Sequence, residues 1–453
     1  MRKKAYLLVL VVIVGIGALS FTTENNYFEI AKNLDIFASV FKEVNTYYVD
    51  EIEPEKLVNT GIEAMLESLD PYTNYIPEES LDEYRTMTTG EYAGIGSLIA
   101  NVNGKNFITM PNKGFPADKA GVKAGDEIIS IDGVNVESKK SNEISKLLKG
   151  KSKTNVLLTV RRFGQDELLE FNITRGRIVI NNVAYYGMVS DKIGFIKLTD
   201  FTTNAGREVK SALQDLKSKG AKGLILDLRA NPGGLLHEAV NVCNLFLPKG
   251  SDIVSTKGKI ADWNRTYKAL NNAVDTEIPL VVLANGGSAS ASEIVAGVIQ
   301  DYDRGIVIGR KSFGKGLVQI TRPLTYNAQL KITTAKYYTP SGRCIQAIDY
   351  SHRNMDGSVD QIPDSLKMVF ETAGGRKVFD AGGVTPDIRV ASEYLSPITL
   401  SLLNEGHIFN YATFYYYSNP QIANAKEFEL SDSEYDAFVK WLDIKHYEYT
   451  TEV

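Results

Sequence analysis

Two short segments carry residues whose types and spacing suit nucleophilic chemistry. The first is Asn285-Gly286-Gly287-Ser288-Ala289-Ser290-Ala291-Ser292-Glu293-Ile294, and the second is Gly309-Arg310-Lys311-Ser312-Phe313-Gly314-Lys315-Gly316. In the first, the apolar stretch Leu280–Leu283 reads as a buried strand that runs through a glycine-rich turn into a helical pattern. A serine at such a junction is held exposed, and the unpaired N–H groups of the first helical turn can stabilise an oxyanion. Ser288, Ser290 and Ser292 compete for that role. Ser290 and Glu293 also spell a Ser-x-x-Glu capping box, which accounts for that serine without any chemistry.

A serine hydroxyl needs a neighbour to take its proton. His237 follows Pro232-Gly233-Gly234 without an acidic partner at a fixed spacing and reads as a core or surface histidine; the others are His352, His407 and His446. Lys315 lies between two glycines, just beyond the apolar strand Gly305–Ile308. In such a turn it can enter a site, where burial favours the neutral amine and makes it a usable base. A surface lysine in a turn is the alternative that local sequence leaves open.

The elements that must position these residues follow from periodicity. From Ile193 the chain alternates strands (Ile193–Leu198, Gly223–Leu228, Leu280–Leu283, Gly305–Ile308) with helices (Ala205–Lys219, Leu235–Leu247, Ser290–Asp301), the pattern of a layered α/β core. Before it, near Thr89, glycines begin to punctuate short apolar strands, among them Ile128–Ile131 and Val156–Val160, with a helix over Ser141–Leu148; this is a compact, mainly β domain. Tyr27–Tyr47 and Pro54–Leu69 show helical spacing, and a helical tail follows Ser396, with its last helix near Ser433–Leu442. The expected division is 1–20 leader, 21–86 N-terminal helical region, 87–177 β domain, 178–395 α/β core and 396–453 C-terminal helical region.

The 453-residue chain is 43% hydrophobic and 23% charged, with a net charge of −5. That balance argues against a nucleic-acid partner, which requires a basic surface. Arg2, Lys3 and Lys4 precede an apolar run of fifteen residues, Ala5–Leu19, short of the roughly 20 a spanning helix needs. The pattern is that of a signal peptide cleaved after Ser20, with a retained membrane anchor as the alternative, so the body is expected to be exported to the periplasm or cell envelope. Cys243 and Cys344 are far apart in sequence and read more readily as buried thiols than as a disulfide. No His/Cys cluster suggests a metal site, and no cofactor is expected.

At these residues the sequence resembles the C-terminal processing peptidases, or tail-specific proteases, a family of Ser–Lys serine proteases with an inserted PDZ domain. Ser288-Ala289-Ser290-Ala291-Ser292-Glu293 resembles the family's nucleophile motif and Phe313-Gly314-Lys315-Gly316 its base motif. The resemblance implies Ser290 as nucleophile, Lys315, twenty-five residues on, as base, and Gln319 as the residue that orients the lysine. It implies an oxyanion hole from the N–H of Ala291 and a glycine of Asn231-Pro232-Gly233-Gly234, with Gly233 preferred over Gly234. Leu69-Asp70-Pro71, Tyr338-Thr339-Pro340-Ser341-Gly342-Arg343 and Gly383-Val384-Thr385-Pro386-Asp387 are lesser signatures.

The β domain resembles a PDZ domain through Pro116–Asp126 and Ile128–Gly133. Tyr92-Ala93-Gly94-Ile95-Gly96 matches its carboxylate-binding loop, although Tyr92-Ala93 stands where the family usually has Phe-Ser. Successive N–H groups in such a turn can capture a C-terminal carboxylate, and the next strand can pair with an extended peptide. The implied fold is a multidomain α+β chain: helical N-terminal region, PDZ β-domain, crotonase-like layered α/β protease core and helical C-terminal tail. The implied activity is cleavage of exported proteins near free C-termini through an acyl-enzyme, with a homodimer among the expected partnerships. A non-catalytic PDZ scaffold on a protease-like core, or a core that binds hydrophobic ligands, are the rival readings.

Overall fold

The computed structural model describes residues 27–449 apart from 393, 420 and 426. The expected leader at 1–20 lies outside the described residues. The chain divides into two units, residues 1–75 and 76–453. In the first, helices α1 (27–47) and α2 (Pro54–Glu67) form where the helical spacing predicts them. Asp70 closes the segment after α2 by accepting the N–H groups of Tyr72 and Thr73 at 2.8 and 2.9 Å.

The second unit opens with α3 (Leu81–Thr89), stopped by Gly90 in a left-handed conformation. The mainly β domain expected from the sequence follows. Its elements are β1 (Glu91–Gly94), β2 (Ser97–Val102), β3 (Lys105–Pro111), α4 (Pro116–Ala120), β4 (Glu127–Ile131), β5 (Val134–Asn135), α5 (Ser141–Leu148), β6 (Asn155–Arg161), β7 (Leu168–Thr174) and β8 (Gly176–Val179). Its main sheet has the order β2-β3-β4-β6-β7, with β5 on β4, so β2 is an edge strand. Inward residues of alternate positions, such as Val156, Leu158 and Val160 of β6, join Ile144 and Leu148 of α5 in a closed apolar core.

The α/β core begins with β9 (Val183–Ser190), β10 (Ile193–Leu198), α6 (Ala205–Ser218), β11 (Gly223–Asp227) and α7 (Leu236–Cys243). It continues through β12 (Asp252–Gly258), β13 (Arg265–Lys268), β14 (Leu280–Ala284), α8 (Ala291–Asp301) and β15 (Ile306–Gly309). β16 (Leu317–Pro323), β17 (Gln329–Tyr338), β18 (Val369–Glu371), β19 (Lys377–Phe379) and β20 (Ile388–Arg389) complete it. The main sheet has the order β9-β10-β11-β14-β15-β20, parallel except for the β9–β10 pair. β11 and β14 read as near-continuous apolar runs because both faces of a parallel sheet are covered. Helix α6 buries Ala205, Val209, Ala212, Leu213 and Leu216, one stripe at helical spacing.

Helix α7 stops at Cys243, short of the Leu247 that apolar spacing predicts. Asn244 there exchanges two hydrogen bonds with the backbone of Asn271, which turns the chain away. Strands β16, β17, β12 and β13 pair in an antiparallel sheet that periodicity alone does not announce, because β16 and β17 are half-buried at most positions on both faces and carry polar side chains.

Helix α8 is buried on every side, Ala291 to Asp301. Its polar residues are therefore all engaged, and Asp301 meets the fully buried Arg343 at 2.7 Å, with Gln300 accepting from the same guanidinium at 2.8 Å. The tail forms α9 (Pro397–Asn404), α10 (His407–Ser418) and α11 (Asp432–Leu442). Phe409, Phe414 and Tyr417 of α10 pack on Phe107 and Phe163 of the PDZ domain. Removing one partner of a buried ion pair leaves an uncompensated charge, so Asp301→Ala should lower the unfolding free energy by about 3–5 kcal/mol, read from urea denaturation.

Candidate active site

Strand β14 delivers the chain into the turn 285–289, and α8 starts one residue after Ser290. At the junction Ser290 has φ 55° and ψ −112°, a backbone conformation that L-residues rarely adopt. Such a residue costs on the order of 1–3 kcal/mol and persists only where its surroundings over-determine it. The three serines are distinguished by their partners. Ser288 Oγ donates to Leu228 O at 2.8 Å and accepts from Asn285 N–H at 2.9 Å; Ser292 Oγ donates to Asn231 O at 2.9 Å. Both are buried and serve the turn. Ser290 is half-buried, and among the described residues its hydroxyl has no hydrogen-bond partner. In the capping box, Glu293 Oε2 accepts the Ser290 N–H at 2.8 Å.

Glu293 does more than cap the helix. Its Oε2 also accepts the Lys315 N–H at 2.9 Å, while Oε1 accepts the Gly314 N–H at 2.7 Å and the Ser312 hydroxyl at 2.6 Å. The side chain is wholly buried. Burial pushes its carboxyl up to about 7, against the four hydrogen bonds that favour the charged form. A second tie comes from the buried Tyr337 of β17, whose hydroxyl donates to the carbonyls of Ser290 at 3.1 Å and Lys315 at 2.7 Å. Residues 290 and 315 are thus held together through their backbones by two side chains, and sequence reading marked neither as part of the site. The only available signal was Glu293 as a cap. Lys315 is half-buried between Gly314 and Gly316. Gly314 has φ +93°, and a Cβ there would lie 2.4 Å from Ala347 Cβ, so glycine is required for the loop to pass. Gln319, on β16, donates to Thr333 Oγ1 of β17 at 3.0 Å.

Gly233 faces the same junction. A Cβ on it would lie 2.8 Å from Ala291 N and 2.9 Å from Ser290 Cβ, so its missing side chain leaves room above the first N–H of α8. Among the described residues no acceptor meets the Ala291 N–H. The Gly233 N–H is taken by Asn231 Oδ1 at 2.9 Å, whereas that of Gly234 meets no acceptor among the described residues. His237 is exposed at the start of α7. Cys243 and Cys344 are both free thiols, their pKa raised by burial. No group of side chains suited to a metal ion occurs among the described residues.

In the PDZ domain, Tyr92, Ala93 and Gly94 lie on β1, and Ile95 and Gly96 form the turn into β2. Ala93 O accepts from Gly150 N–H at 3.1 Å, Ile95 O from Ala117 N–H at 2.9 Å, and Gly96 O from the backbone and side-chain N–H of Asn112. These bonds fix the carbonyls and leave the N–H groups of Ile95 and Gly96 without an acceptor among the described residues. Lys149, just past α5, sits 5.1 Å from the Tyr92 ring, and burial raises the Tyr92 phenol pKa.

Comparison with known proteins identifies the family. Residues 192–351 match the model of peptidase family S41, residues 107–162 that of a PDZ domain, and residues 398–453 that of the C-terminal helical domain of PDZ-proteases. The carboxy-terminal-processing protease of Bartonella bacilliformis is 42% identical over 330 residues, covering 72% of this chain and 75% of the relative. The chain belongs to the S41 family of carboxy-terminal-processing proteases. A CtpA-like serine protease of Staphylococcus aureus is 34% identical over 384 residues, 84% of this chain and 75% of that one. The solved photosystem II D1 C-terminal processing protease is 28% identical, with a TM-score of 0.42 over 78% of this chain and 92% of its own.

In this S41 peptidase, Glu293 binds its proton more tightly folded than unfolded. Its contribution to stability is therefore complete below its ordinary value of 4.5 and is lost as pH rises through about 7. The stability advantage of wild type over Glu293→Gln should accordingly shrink between pH 5 and pH 8, measured as the difference in urea midpoints.

Proposed function

We propose that this protease cleaves exported proteins near their C-termini with Ser290 as nucleophile and Lys315 as general base. The observation that carries the reading is the joint anchoring of residues 290 and 315 by Glu293 and Tyr337, while the hydroxyls of Ser288 and Ser292 are engaged elsewhere. Neutral Lys315 takes the Ser290 proton as Oγ attacks the scissile carbonyl. The oxyanion enters the space that Gly233 leaves above the Ala291 N–H, with a second donor from the Gly233–Gly234 turn. Lys315 then protonates the leaving amine, and water hydrolyses the acyl-enzyme. Gln319 aims the lysine from the neighbouring strand. The reaction calls for no cofactor.

The PDZ domain reads the substrate's free terminus. Ile95 and Gly96 offer two successive N–H groups to a carboxylate, within the loop that begins at Tyr92, Ala93 and Gly94. Edge strand β2 offers its open side to an extended peptide. The partners are protein or peptide tails. The basic and apolar segment at 1–20 directs export to the cell envelope, as leader or anchor; among the described residues no helix is long and apolar enough to cross a membrane.

Purified Ser290→Ala and Lys315→Ala should each lose at least about 10³-fold in cleavage of a fluorogenic peptide with a free C-terminus. Near-normal turnover by either variant removes the assignment. Binding of a tail peptide to Ser290→Ala should weaken about tenfold or more when the terminal carboxylate is amidated, by isothermal titration. Equal affinities would refute the PDZ reading.

A further inference from the structure

The nucleophile and base loops come from different parts of the core. The first follows β14; the second connects β15 to β16. Neither loop has a regular ladder to the other, and one backbone bond, Phe313 N–H to Ser288 O at 3.0 Å, joins their outer parts. Nearest the proposed chemistry, the junction is made by a carboxylate.

An ionised carboxylate accepts about four hydrogen bonds, two on each oxygen. In its ionised form, which prevails above about pH 7, Glu293 has all four filled. Oε2 holds residue 290 of one loop and residue 315 of the other, so the two chemically opposed positions share one atom. Oε1 holds Gly314 and Ser312. The direction of the Ser312 bond is settled by its own partner: Val384 N–H donates to Ser312 Oγ at 2.7 Å, so the Ser312 hydrogen points at Glu293. The N–H that Oε2 grips belongs to the strained residue itself, where an external constraint is most needed.

We propose that Glu293 is a positioning residue of the reaction, setting the separation of nucleophile and base by accepting from both loops at once. The inference rests on the Ser290–Lys315 reading. It assigns to the helix-capping glutamate a role in turnover distinct from its role in folding. Glutamine in its place keeps the shape but can accept on one side only. Whichever way the amide turns, its NH₂ faces two donors, and either the 290/315 pair or the 312/314 pair is released.

The test compares kcat and KM on the fluorogenic tail peptide for Glu293→Gln and Ser312→Ala, normalised to folded enzyme by near-ultraviolet circular dichroism. Glu293→Gln should lose about 10²-fold in kcat, the scale of a small misplacement of reacting groups, with KM little changed. Ser312→Ala removes one donor of four, leaves Glu293 in place and should lose about fivefold in kcat. It serves as the decisive variant if Glu293→Gln does not fold. Wild-type kcat in folded Ser312→Ala and Glu293→Gln, with Ser290→Ala and Lys315→Ala inactive, overturns this inference alone. A Ser290→Ala enzyme that still cleaves overturns it together with the reading beneath it.

Discussion

One buried carboxylate connects the two loops that carry the proposed nucleophile and base. Glu293 sits where a helix that is buried all round meets a loop from a separate strand, and its four donors come from both. A charge inside a protein is tolerated only when hydrogen bonds replace the water it has lost. The same bonds that make the charge tolerable fix the loops, so its solvation and the loop geometry are one set of contacts. Tyr337 repeats the connection on the carbonyl side, with one hydroxyl shared between residues 290 and 315.

The rest of the core is arranged so that these contacts are met. The parallel pairing of β11, β14 and β15 sets where the turn after β14 begins and where the segment after β15 departs. Asn231 anchors the glycine turn from below, donating to Leu198 O and accepting from Gly233 and Ala289 N–H. Gly233 contributes by what it lacks: any larger residue would press on Ala291 N and the Ser290 side chain. Strain at Ser290 is thus enclosed on three sides, by a carboxylate, a phenol and a side-chain-free turn.

Much of this was legible in the letters, for physical reasons. The alternation of apolar runs with amphipathic stripes announced the α/β core, because covered parallel strands must be apolar throughout. The resemblance implies Ser290 among three serines; in the structure the hydroxyls of Ser288 and Ser292 donate to carbonyls. What the sequence could not disclose were contacts between distant segments. Nothing in the spelling of Tyr337 says that its hydroxyl lies between residues 47 and 22 positions away. Glu293 looked complete as a cap because a local partner was at hand; its other three donors lie 19 to 22 residues further on. Strands β16 and β17 escaped notice for a related reason, since half-buried faces blur the alternation that reveals a strand.

The open side of β2 has a consequence for the solubility of the whole molecule. An unpaired strand edge is a template for any extended chain, including an unfolded neighbour or another copy of itself. Most proteins blunt such edges, but a strand that receives a peptide, as proposed for β2, must stay bare. Here the exposure is limited by length: β2 spans only Ser97–Val102 and is cut off by Asn103 and Gly104, both at positive φ. Six residues alternate their backbone groups between two sides, so about three face outward. That is room for the end of one tail, as the proposed recognition requires, and too little to seed a growing sheet.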